Sequence, residues 1–265
     1  MDVRLDTQIA IVTGGNSGLG RATALQFAEA GADVVIDYHS EEDKADEVVR
    51  IIEGMGRKCI AVQGDMSKEA NVETLFKTTV DKLGAVDILV ANAGIQNDAP
   101  IGDMTLEKWN NVIGVNLTGQ FMCARAAIRQ FRKQGDRKVS RSIGKIICMS
   151  SCHQLIPWGG HVNYATSKGG IAMMMKTLAQ EVAGEKIRIN GIAPGAIKTA
   201  INEKAMEGDA LPKLLKLIPY GRVGEPEDVG YLALFLASDF ADYVVGSSMF
   251  IDGGMTLYPG FQDNG

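Results

Sequence analysis

Cysteine and histidine are scarce in this sequence, and long apolar runs are missing from it. Its 265 residues include three histidines and four scattered cysteines, with neither a metal-binding cysteine spacing nor an HExxH pattern. We therefore expect no metal centre, and buried structural thiols at Cys59, Cys123, Cys148 and Cys152. No apolar run approaches the roughly 18 to 20 residues that span a bilayer. Since the opening "MDVRLDTQIA" also lacks the features of a signal peptide, we expect a cytoplasmic protein without a membrane span.

The charge balance is mildly acidic, with a formal net charge of -5. A chain of this sign lacks the basic surface that nucleic-acid binding needs, so we expect no nucleic-acid partner. One segment departs from the balance, because Arg129 to Lys145 carries seven Lys or Arg against one Asp. It lies between a predicted helix and a predicted strand, and we expect a solvated surface loop.

Short apolar runs of strand length alternate with longer stretches of helical period along the whole chain. This alternation is typical of βαβ units on a parallel sheet. No linker, low-complexity tract or internal repeat interrupts it, so the sequence predicts one α/β domain over residues 1–265, with a small helical insertion at about 198–220 that is expected to form a substrate lid. Predicted strands include Ile9 to Gly14, Asp33 to Tyr38, Val86 to Gly94, Gly144 to Ser151, Ile187 to Gly195 and Ser248 to Asp252.

The stretch "VTGGNSGLGRA" places glycines where the first strand gives way to the first helix. Backbone amides at a helix N-terminus suit a pyrophosphate, and glycines let it approach closely. A tight turn with close helix packing would explain the glycines equally well, but the position after an N-terminal strand favours dinucleotide binding. No GK[ST] sequence follows, so this is not a nucleoside-triphosphate loop. The residues expected to bind here are Gly14, Asn16, Ser17, Gly18, Leu19 and Gly20.

A tyrosine and a lysine four positions apart, Tyr164 and Lys168, would share one face of a helix. An adjacent ammonium lowers the pKa of a phenol, so Tyr164 could exchange a proton with a substrate hydroxyl. Ser151, at the end of the preceding strand, could hydrogen-bond the same oxygen. Taken alone, the pair would more often be solvated, and Ser151 could simply cap the strand. His153 stays open between contacting substrate and shaping the loop.

Four motifs in order resemble the short-chain dehydrogenase/reductase family. They are TGxxxGxG at Thr13 to Gly20, NAG at Asn92 to Gly94, a serine thirteen residues before YxxxK, and PGxxxT at Pro194 to Thr199. The resemblance implies a Rossmann-type, doubly wound, seven-stranded parallel sheet in the order 3-2-1-4-5-6-7, with a nicotinamide cofactor across the carboxyl ends of the strands.

The same resemblance implies roles for further residues. Lys168 would also hold the nicotinamide ribose, and Asn116 would hold a water in a proton relay behind the lysine. Asp65 matches an acid that contacts adenine. The remaining cofactor contacts implied are Met66, Asn92, Ala93, Gly94, Pro194, Gly195, Ile197 and Thr199.

The choice of cofactor is read from "VVIDYHS", about 20 residues beyond the glycine turn. Strand residues alternate faces, so Asp37 and Tyr38 cannot both point at the adenosine ribose. NAD-specific members of the family carry their acid at the position of Tyr38, which leaves Asp37 one step out of register. Because His39 and Ser40 stand where NADP-using members place an arginine or a hydroxyl, we expect Tyr38, His39 and Ser40 at the ribose and NADP as cofactor, with NAD also possible.

Within the family, "PGAIKTAIN" and the tail "DGGMTLYPGFQDNG" are similar to bacterial glucose 1-dehydrogenases. That resemblance implies oxidation of an aldose to its lactone and a homotetramer. A ketone or polyol reductase and a 3-oxoacyl carrier reductase remain alternatives, and a non-catalytic NADPH sensor is disfavoured because Tyr164 and Lys168 are both present. The apolar tail from Gly254 to Gly265 is predicted to help assemble the subunits.

Overall fold

The computed structural model describes residues 3–200, 202 and 206–257. Within them, seven parallel strands form one sheet in the order β3-β2-β1-β4-β5-β6-β7. This confirms the predicted Rossmann-type α/β fold. The strands are β1 (Ile9–Val12), β2 (Asp33–Tyr38), β3 (Cys59–Gln63), β4 (Ile88–Ala91), β5 (Gly144–Met149), β6 (Ile187–Pro194) and β7 (Ser248–Ile251). The helices are α1 (Gly18–Glu29), α2 (Glu42–Gly54), α3 (Glu69–Leu83), α4 (Leu106–Ile113), α5 (Gln120–Gln134), α6 (Val162–Val182), α7 (Ala210–Leu215) and α8 (Pro226–Ala237).

Helices cover both faces of the sheet, which explains why the strands are apolar on both sides. One core packs α1, α2 and α8 against residues such as Ile36, and the other packs α3, α5 and α6 against residues such as Val35. These neighbours on β2 face opposite ways because side chains alternate along a strand. Each large aliphatic side chain so buried contributes about 1.5–3 kcal/mol relative to exposure. The strand order reverses between β1 and β4, and open α/β sheets bind ligands at the carboxyl ends of the strands beside such a reversal.

The helix predicted to run to about Phe131 differs from a regular α-helix. A π-helical segment, Gly114–Gly119, joins α4 to α5, and α5 ends at Gln134. Such a segment adds a residue to a turn and re-aims the side chains within it, and π segments are frequent at functional sites. Asn116, the residue expected in a proton relay, lies in this segment.

The prediction of a solvated loop at Arg129 to Lys145 is wrong for much of that segment. Its ends belong to α5 and β5, and Lys145 is only 1 % exposed, with its Nζ donating to Gln8. Burial lowers the pKa of the Lys145 ammonium to about 8. Arg137 pairs with the buried Asp87 in the loop between these elements. Lys145 and Arg137 therefore find acceptors at the amino ends of the strands, whereas five other basic residues of the segment stay exposed, as predicted, namely Arg129, Arg132, Lys133, Lys138 and Arg141.

The four thiols are buried, as predicted, and none forms a disulfide. Burial raises the pKa of the Cys148 thiol to about 12, so it stays protonated. Among the residues that the structure describes, no group of three or more His, Cys, Asp and Glu side chains is placed to hold a metal ion. No helix in the described ranges combines the length and the apolar character needed to cross a membrane.

Candidate active site

A cavity of about 1170 Å³ opens at the carboxyl ends of the strands. Typical pockets for one small molecule measure about 300–1,000 Å³, so this cavity has room for a cofactor and a second molecule. Three sequence-predicted residues, Gly20, Tyr38 and Asn116, lie outside its lining. The predicted residues that line it are Gly14, Asn16, Ser17, Gly18, Leu19, His39, Ser40, Asp65, Met66, Asn92, Ala93, Gly94, Ser151, His153, Tyr164, Lys168, Pro194, Gly195, Ile197 and Thr199.

The glycine turn has the properties of a pyrophosphate cradle. Gly14 and Gly18 take positive φ angles of 61° and 51°, which glycine adopts at little cost. Asn92 locks the turn to β4, because its Nδ2 donates to the Thr13 carbonyl at 2.8 Å. Within the described part of the chain, the Ser17 side chain makes no capping bond at the start of α1. The amide groups of this helix N-terminus therefore remain available to an anion.

Gly20 acts beneath the cradle and does not line it, which corrects its prediction as a cofactor contact. A Cβ at this position would lie 2.1 Å from the Gly14 carbonyl oxygen and 2.6 Å from Asn92 Nδ2. Nothing larger than hydrogen fits between α1 and the turn. The motif therefore requires glycine at position 20 for packing. The neighbouring residues of the turn form the surface that lines the cavity.

The end of β2 presents Asp37 to the cavity, and the prediction that Tyr38 would face the ribose is wrong. Asp37 lines the cavity, and its carboxylate accepts a hydrogen bond of 2.7 Å from the Gly14 amide. Tyr38 points to the opposite face and packs in the core with α1, α2 and α8. Alternation along β2 was the correct principle, but the register puts the acid on the ligand side. His39 and Ser40 line the cavity as expected.

Tyr164, Ser151 and Gln96 meet in the interior of the cavity. The Tyr164 hydroxyl faces the side chains of Ser151 and Gln96, which favour its ionised form. Burial raises the pKa of the Tyr164 phenol, and these two polar neighbours oppose the rise without cancelling it. This corrects the expectation of a lowered pKa, which considered the neighbouring lysine and omitted desolvation. The raised pKa means that the phenol keeps its proton at neutral pH.

Lys168 lies on the same face of α6 as Tyr164, as the spacing predicted. Its Nζ is 5.3 Å from the centre of the Tyr164 ring and donates to the Met149 carbonyl at 3.1 Å. Burial lowers the pKa of the Lys168 ammonium to about 8. A Cβ on Gly94 would stand 3.6 Å from this Nζ, so the NAG turn passes directly beside the lysine.

Asn116 is fully buried and ties the π-helical segment to the loop after β4. Its Oδ1 accepts from the Ile95 amide at 2.8 Å, and its Nδ2 donates to the Ile95 carbonyl at 3.0 Å and to Ser167 at 3.2 Å. These bonds fix the loop that carries Gly94 and Gln96. The structure thus supports a positioning role for Asn116, and its part in a proton relay stays a prediction.

His153 belongs to a stack of flat rings at the cavity. The Trp158 indole stacks on His153, with ring centres 4.4 Å apart, and on His161, with ring centres 3.5 Å apart. Hydrogen bonds hold the outer rings: His153 Nδ1 contacts the Ile156 carbonyl at 3.1 Å, and His161 pairs with Asp98. His153 therefore lines the cavity and shapes the loop, and its contact with a substrate stays a prediction.

Several functional positions escaped prediction from the sequence. Gln96 stands two residues beyond the NAG motif, and its contact with Tyr164 depends on the loop that Asn116 holds. A wall of apolar side chains also lines the cavity. Its members, called the apolar wall below, are Ile95, Ile156, Pro157, Trp158, Leu214, Leu217, Pro219, Met255 and Leu257. They come from distant segments with no shared motif, so only the fold brings them together.

Part of the predicted insertion at about 198–220 contributes to this wall. Helix α7 supplies Leu214, and Leu217 and Pro219 follow it. Residues 201 and 203–205 lie outside the described residues, and so does most of the predicted assembly tail, 258–265. The role of the insertion as a substrate lid stays a prediction.

Comparison with known proteins gives consistent relatives over nearly the whole chain. Residues 14–256 match a family model described as enoyl-(acyl carrier protein) reductase. The chain is 48% identical over 259 residues to 3beta-hydroxysteroid dehydrogenase 1 of Eggerthella lenta, covering 97% of each chain. It is 42% identical over 256 residues to glucose 1-dehydrogenase 2 of Bacillus subtilis, covering 96% of this chain and 97% of the relative.

Solved structures of similar proteins also match nearly the whole chain. A short-chain type dehydrogenase/reductase from Mycobacterium marinum superposes with a TM-score of 0.90 at 34% identity, covering 97% of this chain and 98% of the other. A gluconate 5-dehydrogenase from Burkholderia cenocepacia, in complex with NADP and tartrate, superposes with a TM-score of 0.88 at 34% identity and the same coverage. The chain therefore belongs to the short-chain dehydrogenase/reductase family and is an oxidoreductase that acts on CH–OH groups.

Proposed function

We propose that this protein is an NADP-dependent dehydrogenase that interconverts a secondary alcohol and its ketone, with Tyr164 as the general acid and base. The glycine turn, Gly94 and Lys168 would hold the cofactor, which supplies the hydride acceptor and, when oxidised, a positive charge near the phenol. Cofactor use is supported by the complex of the related gluconate 5-dehydrogenase with NADP and by the unblocked N-terminus of α1.

The residues divide the proton chemistry between them. The Tyr164 oxygen accepts the proton of the substrate hydroxyl in the oxidation and returns it in the reduction. Ser151, which lies beside the Tyr164 hydroxyl, would share the substrate oxygen and stabilise its developing charge. Lys168, positioned by the Met149 carbonyl, favours the phenolate when that proton leaves.

The apolar wall carries the proposal for the substrate. A sugar presents hydroxyl groups on every side, and each one buried without a partner costs about 1–3 kcal/mol. An alcohol on a rigid apolar body, such as a hydroxysteroid, would bury its surface against these side chains and expose its one hydroxyl to Tyr164. The similarity to 3beta-hydroxysteroid dehydrogenase 1 supports the same class.

A substrate panel tests this choice. Initial rates would be measured with NADP and with NAD on 3β- and 3α-hydroxysteroids, glucose and simple polyols. We expect kcat/KM for a hydroxysteroid to exceed that for glucose by at least about 100-fold, because burial of several rings against the wall gains several kcal/mol. A clear preference for glucose would contradict the proposal.

Oxidation of an aldose at C1 is the second candidate. The similarity to glucose 1-dehydrogenase 2 favours it. Polar side chains near Tyr164, namely Gln96 and His153, could bind some sugar hydroxyls. In the panel, lactone formation from glucose at a high kcat/KM would select this candidate over the first.

A 3-oxoacyl carrier reductase is less compatible with the charge distribution. Such an enzyme would need a basic surface beside the mouth of the cavity to meet an acidic carrier protein. The basic segment of this chain instead lies at the amino ends of the strands, where Lys145 is the second residue of β5. Arg132 in that segment is also paired, with its guanidinium 2.7 Å from the Glu185 carboxylate.

Trp158 offers a direct test of the wall. Trp158→Ala is expected to raise KM for the apolar alcohol by about 10- to 100-fold, because burial of an aromatic ring is worth about 1.5–3 kcal/mol. Its kcat should change much less, since the indole does not touch the proton that moves. Leu155→Ala is the matched control, because Leu155 is 64% exposed on the same loop and does not line the cavity. Equal KM values in the two variants would contradict the proposal that the apolar wall binds the substrate.

The homotetramer remains part of the proposal. Strand β7 is an edge of the sheet and carries Phe250, which is 39% exposed, and Tyr243 and Val245 are exposed just before it. Exposed edges with apolar side chains are commonly covered in natural proteins. Phe250→Glu should lower the mass seen by light scattering, whereas Ile101→Glu, at an apolar site elsewhere that is 77% exposed, should leave it unchanged. Unchanged mass in both variants would argue against this edge as an interface.

A further inference from the structure

Asp37 is a buried acid placed in the cofactor half of the cavity. Its side chain is 2% exposed, yet it lines the cavity beside the glycine turn. The carboxylate accepts from the Gly14 amide at 2.7 Å, and the Asp37 carbonyl accepts from the Gly15 amide at 2.9 Å. Asp37 therefore fixes the glycine turn and also brings a carboxyl group to the end of β2. This is the region where dinucleotide-binding proteins of this fold distinguish NAD from NADP.

The two cofactors differ there by one 2′-phosphate. An ionised carboxylate accepts a hydrogen bond from the ribose 2′-hydroxyl of NAD and repels the phosphate of NADP, whereas a protonated carboxyl removes the repulsion and can donate. We propose that the protonation of Asp37 sets the preference of this enzyme between NADP and NAD, with NADP favoured when Asp37 is neutral. The inference rests on the cofactor use proposed above.

The surroundings of Asp37 place this titration in the physiological range. Burial, and to a smaller extent the neighbouring charge of Asp65, raise the pKa of Asp37 to about 7, against the hydrogen bond from Gly14. The titratable groups that face it are Asp65 after β3 and Cys123 on α5, and His39 lines the cavity two residues further along. A raised pKa means that the acid is neutral below about pH 7 and ionised above it. The NADP preference should therefore fall as the pH rises.

The test is direct binding of NADPH and NADH by fluorescence titration from about pH 6 to pH 8.5. In the unmodified protein we expect the ratio of NADPH to NADH affinity to fall about tenfold or more over this range. Part of any change comes from the 2′-phosphate itself, whose second pKa is about 6. Asp37→Asn removes the titration but keeps an oxygen to accept from Gly14, so its ratio should show only the contribution of the phosphate.

Further variants separate the possible sources of this pH dependence. Asp65→Asn should move the midpoint of the fall in the affinity ratio to lower pH, because it removes a charge that raises the pKa of Asp37. Any effect of this substitution on adenine binding is the same for NADPH and NADH and therefore cancels in the ratio of their affinities. In His39→Gln both affinities are free to change, but their ratio should still fall as the pH rises. Identical pH dependence in the unmodified protein and Asp37→Asn, or loss of it only in His39→Gln, would overturn the inference. Failure of the unmodified protein to bind either nucleotide at any pH would overturn the proposed cofactor use instead.

Discussion

Tyr164→Phe is expected to lower kcat by about 10²- to 10⁴-fold while the cofactor dissociation constant changes by less than about threefold. The first value is the usual contribution of a general acid or base. The second follows because the substitution removes only the hydroxyl, whereas Lys168 keeps its bond to the Met149 carbonyl and the glycine turn is untouched. Single-turnover rates and NADPH titration would measure the two quantities separately.

The pH profile adds a second test of the same residue. Since burial raises the pKa of Tyr164, the free protein holds the phenol protonated at neutral pH, and kcat/KM for alcohol oxidation should rise with pH as the proton is lost. Tyr164→Phe should lose this alkaline rise. Tyr231→Phe is the matched control, since Tyr231 is 60% exposed on α8 and does not line the cavity. If Tyr164→Phe kept more than a tenth of the original kcat, another group would have to carry the proton.

Local spacing predicted those parts of the site that lie on one element. The glycine turn and the pair of Tyr164 and Lys168 each depend on the geometry of a single turn or helix, so spacing was enough to place them at the cavity, although it did not show that Gly20 packs beneath it. The register of β2 was beyond such reasoning, because alternation requires Asp37 and Tyr38 to face opposite ways without saying which way. The pairing of β2 with β1 and β3 decides it, and these contacts join residues far apart in the chain.

Electrostatic properties were the least predictable part. A lysine four residues from a tyrosine suggests a lowered phenol pKa, but burial of both side chains has the larger effect. Burial raises the pKa of Tyr164 and lowers that of Lys168, whereas an exposed ion pair would show the opposite shifts. Burial depends on how the NAG turn and the π-helical segment close over α6. The apolar wall has the same origin, since its members are joined only by the fold.

The requirement for glycine at position 20 leads to the second large expected effect. A Cβ there would lie 2.1 Å from the Gly14 carbonyl oxygen, a distance that no rotation of a side chain can relieve, because the oxygen belongs to the backbone. Gly20→Ala must therefore push α1 away from the turn or distort the turn itself. Either response also displaces Asn92, which would stand 2.6 Å from the new methyl group and which links the turn to β4.

We expect Gly20→Ala to weaken NADPH binding by at least about tenfold, because the amide groups that face the pyrophosphate would leave their positions. The same substitution should lower the free energy of unfolding by about 1–3 kcal/mol, the usual cost of overpacking. Gly54→Ala is the matched control. Gly54 ends α2 and has no neighbouring heavy atom within 4 Å of a built Cβ among the described residues, so alanine there should leave binding unchanged and raise stability by up to about 1 kcal/mol. NADPH titration and thermal unfolding of both variants would decide the matter. Normal affinity in Gly20→Ala would mean that the turn binds the cofactor without the packing that the structure shows beneath it.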